Sequence, residues 1–198
     1  MYVNYKELLR SLANDDQTAL KQIIKLNKNN MYRVALGVLQ NKELAQDVVQ
    51  ETFVKLWEVR KDLDLTAKLS TWLYRVTMNR AISVQRRNKL FWMFSHLNNK
   101  DVGKEVKKVS FEQQLMDNRN SLKTESIENK QIQEALKKAI DSLPKNQRLA
   151  FVLAKYEDLS YKEISEIMEI TVSSVESLLF RAKQNLQKKL INVYKSLN

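Results

Sequence analysis

The chain has 198 residues, enough for one large domain or two small ones, and carries 34 Lys plus Arg against 23 Asp plus Glu, a net charge of +11. Such an excess favours a polyanionic partner, nucleic acid or an anionic membrane face, over a merely soluble basic surface. Two glycines and one proline are too few for hairpins, phosphate-cradling loops or nucleotide-binding turns, and the lack of cysteine excludes disulfides, thiolate metal sites and a thiol nucleophile.

Abundant Leu, Lys, Ala, Glu and Gln favour helix, so the expected class is all-α. Apolar residues recur at helical spacing from Tyr5 to about Val84. A first helix is expected over Tyr5 to Ser11, and a second from Asp16 through Ile23, Ile24 and Met31 towards Leu39. The clearest follows, over Leu44 to Glu58, where Ala45, Val48, Val49, Thr52, Phe53, Leu56 and Trp57 keep an i, i+3, i+4 rhythm. Its polar face carries Asp47, Gln50, Glu51 and Glu58. On so basic a protein this acidic strip is either an ordinary solvated face or a contact for a basic protein partner. Lys61 to Ser70 breaks the pattern, and a further helix is expected to start at Ser70 or Thr71, either of which could cap it, and to reach Arg87.

That helix interleaves Trp72, Tyr74, Arg75, Asn79, Arg80, Arg86 and Arg87. Aromatic rings can stack on unpaired bases, arginines can follow a phosphate backbone, and an Asn amide can read a base edge. Trp72, Leu73, Val76 and Tyr74 can equally be core. Asn88 to Ser126, rich in Asn, Lys and Ser, reads as an interdomain linker, although Leu90-Phe91-Trp92-Met93-Phe94 is apolar enough to form a short docking helix or to lie against a partner. The lone histidine, His96, falls there and reads as solvated or casually packed.

A second block runs from Ile127 to the C-terminus, with a helix over Glu128 to Asp141. Pro144 suits the first turn of the next helix, which extends to Tyr156. Ser160-Tyr161-Lys162-Glu163 has the form of a capping box before a short helix carrying Ile164, Ile167 and Met168. After a turn at Glu169 and Ile170, a long helix is expected from Thr171 to about Val193. The last pair has the layout of a helix-turn-helix. Thr171, Ser173 and Ser174 let its second helix approach a major groove, and Arg181, Lys183, Lys188 and Lys189 can meet phosphate. The organisation expected is two small helical domains, 1–88 and 127–198, joined by a flexible linker, 89–126, and moving independently. No apolar run reaches the roughly eighteen residues of a membrane span, and the N-terminus lacks the layout of a signal peptide, so the expectation is a cytoplasmic protein, not an integral membrane one. Nothing supports an enzyme, a metal, a cofactor or a small-molecule substrate.

Several stretches carry a family resemblance. Leu44-Ala45-Gln46-Asp47-Val48-Val49-Gln50-Glu51-Thr52-Phe53-Val54-Lys55-Leu56-Trp57 resembles the polymerase-binding helix of extracytoplasmic-function (ECF) sigma factors. Thr71-Trp72-Leu73-Tyr74-Arg75-Val76-Thr77-Met78-Asn79-Arg80-Ala81-Ile82, ending in Arg86-Arg87, resembles the helix with which that family reads the minus-ten promoter element. Leu143-Pro144-Lys145-Asn146-Gln147-Arg148, Leu159 to Ile164 and Val175 to Ala182 resemble its minus-thirty-five-reading domain. The resemblance covers about three quarters of the chain and implies a sigma factor that binds core RNA polymerase and directs promoter-specific initiation.

By position it implies core-polymerase contacts at Asp47, Gln50 and Glu51. Minus-ten DNA contacts are implied at Lys68, Thr71, Trp72, Arg75, Asn79, Arg80, Arg86 and Arg87, with the loop Lys61 to Leu69 forming a pocket for a flipped base. Minus-thirty-five contacts are implied at Thr171, Ser173, Ser174, Ser177, Arg181 and Lys183. It further implies an anti-sigma factor as a partner, with Leu90 to Phe94 as a candidate contact. The chain departs from the family's pattern at Glu169, where glycine is frequent, at Glu176, where a basic residue is, at Leu178, where arginine is, and at Ser83, where aspartate is. Glu176 either reads a cytosine amine or faces away. A stand-alone helix-turn-helix regulator would explain the C-terminal block only, and a helical adaptor would show no salt-dependent affinity for promoter DNA.

Overall fold

A computed structural model of the protein describes residues 5–63, 68–98, 134–136 and 138–197, with the backbone alone for 90–98 and 192–197. All regular structure among the described residues is helical: α1 Tyr5–Ala13, α2 Gln17–Leu39, α3 Lys42–Glu58, α4 Leu69–Asn98, α5 Lys145–Lys155, α6 Tyr161–Met168 and α7 Val172–Leu197. Residues 134–136 and 138–141 are helical as well, the end of the helix expected over 128–141, whose earlier part lies outside the described residues.

Local chemistry sets most of the boundaries. Asp16 caps α2 by accepting from the Thr18 N–H and hydroxyl, each at 2.7 Å, and Asn41 caps α3 by accepting from the Leu44 N–H at 2.9 Å. The capping box of α6 is complete: Ser160 Oγ accepts from the Glu163 N–H, and the Glu163 carboxylate accepts from the Ser160 N–H at 3.0 Å. α2 ends at Gln40 and α6 at Glu169, both in the left-handed region, with φ 52° and 56°.

Several boundaries differ from those expected. α4 starts at Leu69 rather than at a Ser70 or Thr71 cap, its first turn closed by the Trp72 N–H on the Lys68 carbonyl at 3.3 Å. Leu69 is buried in the core, and that burial draws the helix back past the hydroxyl residues. α4 then runs through to Asn98, well beyond Arg87, because residues 88–98 contain neither glycine nor proline to stop it. Pro144 occupies the N-cap of α5, not its first turn, and its carbonyl accepts from the Arg148 N–H at 2.9 Å.

α1 to α4 bury Leu12, Ile23, Met31, Leu36, Leu56 and Leu73, while α5 to α7 bury Leu149, Leu153, Ile164, Ile167 and Val175. The two helical sets share one continuous cluster of buried residues, for α2 packs on α5 and α4 on α6 as well as on their own neighbours. In this structure they are docked rather than separate. Within the first set, Thr52 Oγ1 donates to the Val48 carbonyl at 2.8 Å and lies 3.3 Å from Thr77 Oγ1, which meets Met31 Sδ at 3.1 Å. Thr52 thus bonds its own helix and Thr77 the Met31 sulfur of α2, so both buried hydroxyls have partners.

Candidate promoter and polymerase interface

The apolar stripe of α3 turns Ala45, Val48, Phe53 and Leu56 inward and leaves Asp47, Gln50 and Glu51 exposed along one edge. That edge does not stand alone. The Glu51 carboxylate is ion-paired with the Arg80 guanidinium of α4, which holds the acid below its ordinary range while Glu51 raises Arg80. Asp47, Gln50, Glu51 and Arg80 line a common shallow cleft. The acidic strip and the basic helix therefore meet at a salt bridge.

In the first half of α4, Trp72 and Tyr74 separate from the cations. Leu73 and Tyr74 are buried, and Thr71, Trp72 and Val76 are half-buried, Trp72 packing against the core. Arg75, Asn79 and Arg80 are exposed, with Arg86 and Arg87 exposed further along. Tyr74 is thus a core residue, and its hydroxyl donates to Glu157 at 2.7 Å and accepts from Asn30 at 3.2 Å. Burial pushes its phenol well above the ordinary tyrosine range, with the Glu157 charge adding to the shift. Lys68, just ahead of α4, is exposed; residues 64–67 of the expected base pocket lie outside the described residues.

In the C-terminal set, Thr171 precedes α7 and accepts from the Ser174 N–H at 3.2 Å, so it caps the helix it was expected to begin. Thr171, Ser173, Ser174, Ser177, Arg181 and Lys183 are all exposed. Ser173, Ser174, Ser177 and Arg181 line a cleft of about 470 Å³, and its far wall is Asn79, Met78 and Ile82 of α4. Leu178 lies in the same cleft, and Glu176 is exposed.

Of the residues that join the two sets, Arg33, Gln40 and Glu157 were not singled out from the sequence, and Lys68, Arg75, Arg148, Glu163 and Glu169 were read in other roles. Arg33 of α2 is ion-paired with Glu157, whose side chain is fully covered. Arg148 is buried and donates to the Gly37 carbonyl at 2.6 Å and to the Asp141 carbonyl at 2.7 Å. Gln40 donates to the same Asp141 carbonyl at 2.9 Å. Lys68 pairs with Glu163 at 2.8 Å, and Arg75 with Glu169. Phe91, Trp92 and Phe94, the candidate anti-sigma contacts, have side chains outside the described residues, as does His96.

Lys68, and then the Ser160 N–H and hydroxyl, hold the Glu163 carboxyl down to about 2. Since that lies below the ordinary value of 4.5, its stabilisation is complete above about pH 4.5 and is lost as pH falls towards 2. Glu163→Gln is expected to cost about 0.5–1 kcal/mol at pH 7 in urea unfolding, and the gap to wild type should narrow at pH 3. A gap independent of pH would mean that the carboxylate charge contributes nothing.

The comparisons with known proteins address both sets. Sigma-70 region 2 matches residues 23–91 and Sigma-70, region 4 matches residues 133–186. The ECF RNA polymerase sigma factor SigM of Bacillus subtilis (strain 168) is 30% identical over 172 residues, covering 85% of this chain and 93% of SigM. The chain belongs to the ECF sigma factors. The ECF sigma factor SigW of the same organism is 27% identical over 190 residues, 96% of this chain and 98% of SigW. In fold, the chain resembles the sigma factor RpoE of Bartonella quintana, solved in complex with the anti-sigma factor NepR, with a TM-score of 0.64 at 22% identity over 86% of this chain and 95% of that one. As an ECF sigma factor, the protein binds core RNA polymerase and directs promoter-specific initiation. The region 2 match removes the stand-alone regulator, which left the N-terminal helices without a task. No helix among the described residues is long and apolar enough to cross a membrane.

Proposed function

We propose that this ECF sigma factor docks on core polymerase through Asp47, Gln50 and Glu51 of α3. The opened minus-ten strand then meets Lys68, Thr71, Trp72, Arg75, Asn79, Arg80, Arg86 and Arg87 on and beside α4. The minus-thirty-five duplex meets Thr171, Ser173, Ser174, Ser177, Arg181 and Lys183 at the start of α7. The observation that carries this reading is the segregation along residues 69–89 of α4, where Leu69, Leu73, Tyr74, Met78, Ala81 and Val84 are buried while Arg75, Asn79, Arg80, Arg86 and Arg87 stay exposed. Arginines follow phosphate, the Asn79 amide reads a base edge, and half-buried Trp72 offers the margin of its ring for stacking. At α7, small hydroxyl residues at the positive end of a long helix allow close approach to a duplex.

The protein works without catalysing a reaction of its own, in the cytoplasm where polymerase and promoter are, under restraint by an anti-sigma factor. In vitro transcription with purified core polymerase and a fragmented genomic library tests the reading. Discrete starts sharing upstream sequence are expected from the wild type, and the triple variant Asp47→Ala, Gln50→Ala, Glu51→Ala should lower them at least about tenfold, the equivalent of about 1.4 kcal/mol. Undiminished starts from the triple variant would move the polymerase contact off α3.

A further inference from the structure

The structure holds its two DNA-reading surfaces against each other. Asn79 of the minus-ten helix and Ser173, Ser174, Ser177 and Arg181 of the minus-thirty-five helix line opposite walls of one cleft. The two promoter elements lie about 25 base pairs apart, roughly 85 Å of duplex at about 3.4 Å per step. One molecule in this arrangement cannot reach both, so promoter binding requires the helical sets to separate.

What holds them together is chemically specific. Three carboxylates of the C-terminal set each take a cation of the N-terminal set: Glu157 takes Arg33, Glu163 takes Lys68 and Glu169 takes Arg75. Two of those cations, Lys68 and Arg75, belong to the proposed minus-ten surface. Glu169 stands at φ 56°, a left-handed position that glycine occupies without steric cost and glutamate does not. Its carboxylate nevertheless reaches across to α4.

We propose that Glu163 and Glu169 form an intramolecular latch in which carboxylates of the helix-turn-helix domain take the place of DNA phosphates on Lys68 and Arg75, keeping the free sigma factor closed and its minus-ten surface occupied. The proposal rests on the minus-ten reading of those two cations. A cation paired at contact distance with a carboxylate must give it up to pair with a phosphate, so latch and DNA compete. Both pairs are largely solvent-exposed, so each is weak alone and yields readily to a polyanion or to salt. The covered pair at Glu157 and the Arg148 contact with Gly37 set the docked geometry in which the two weak pairs can form.

The test uses the full chain, which has no native cysteine and so accepts spin labels at Lys25→Cys and Gln187→Cys, both exposed positions. The latch variant is Glu163→Gln with Glu169→Gly; Gln preserves the capping box, and Gly suits the left-handed cap. A control of equal charge change, Glu43→Gln with Glu134→Gln, removes two exposed carboxylates away from the latch and from the proposed DNA surfaces. Dipolar spectroscopy should give one narrow distance for the wild type and the control, and a broad, longer distribution for the latch variant. Affinity for a twenty-nucleotide poly-dT strand should be about three- to tenfold tighter for the latch variant than for the control. An unchanged distance distribution in the latch variant would overturn the latch. A broadened one with control-level poly-dT affinity would overturn the competition by removing Lys68 and Arg75 from the DNA surface.

Discussion

Arg148→Ala is expected to destabilise the protein by about 3 kcal/mol, seen as a lower urea midpoint for the full chain. The α2 helix ends with carbonyls that have no partner within the helix, and three of them find one beyond its last residue. The Leu36 carbonyl accepts from the Gln40 N–H at 2.8 Å, the Val38 carbonyl from Gln85 of α4 at 2.9 Å, and the Gly37 carbonyl from Arg148 of α5 at 2.6 Å. Placing a guanidinium there also sets a positive charge at the negative end of a helix dipole. The same group donates to the Asp141 carbonyl at 2.7 Å and the Leu143 carbonyl at 3.3 Å, fixing the turn that leads into α5. Burial lowers the guanidinium's proton affinity, and the Asp141 charge works in the opposite sense. Alanine takes the guanidinium from the Gly37 and Leu143 carbonyls and leaves the Asp141 carbonyl with Gln40 alone, and a buried acceptor costs far more unsatisfied than its bond contributes net. Lysine does not repair the site, because its donors sit on one nitrogen and lack the planar spread by which Nε and Nη1 reach carbonyls of separate segments. A loss below about 0.5 kcal/mol would mean that water replaces the guanidinium at little cost.

Arg148 also shows where sequence reading stops. Apolar periodicity locates α2 and α3 because their burial follows a 3.6-residue repeat, and the Ser160–Glu163 box locates α6 because capping is local chemistry. The exposure of Asp47, Gln50, Glu51, Arg75, Asn79 and Arg80 was legible in the same way, as the polar faces of those repeats. Trp72 and Tyr74 were ambiguous because an aromatic ring suits a core and a base stack equally, and only packing assigns Tyr74 to the core. The end of α4 was misread because a polar composition suggested a linker, whereas helix continues until something breaks it. Arg148 and Glu157 were invisible for a different reason. Their partners Gly37 and Arg33 are more than a hundred residues away, and no local pattern distinguishes a cation that will be buried from one that will face solvent. Glu169 stood out as a departure from the family pattern, but its role needed Arg75 beside it.

Glu157 supplies the second large effect. Its side chain is fully covered in the docked arrangement, ion-paired with a mostly covered Arg33 and accepting from Tyr74. Glu157→Ala is expected to cost about 2–3 kcal/mol in urea unfolding, because it strands a guanidinium and a phenol in a place water reaches poorly. Arg33→Ala should cost a similar amount by stranding the carboxylate. The double variant should cost clearly less than the sum, giving a coupling energy of about 2 kcal/mol, since removing both partners leaves no orphaned charge. Additive single effects would mean that the pair does not form in solution and that the two helical sets separate freely. The sign of the functional effect should be opposite. Glu157 is not among the proposed polymerase or DNA contacts, so Glu157→Ala should initiate transcription at least as well as wild type while being less stable when free. Stability that serves only the closed form is stability that polymerase must overcome, and the two measurements on one variant would show that cost directly.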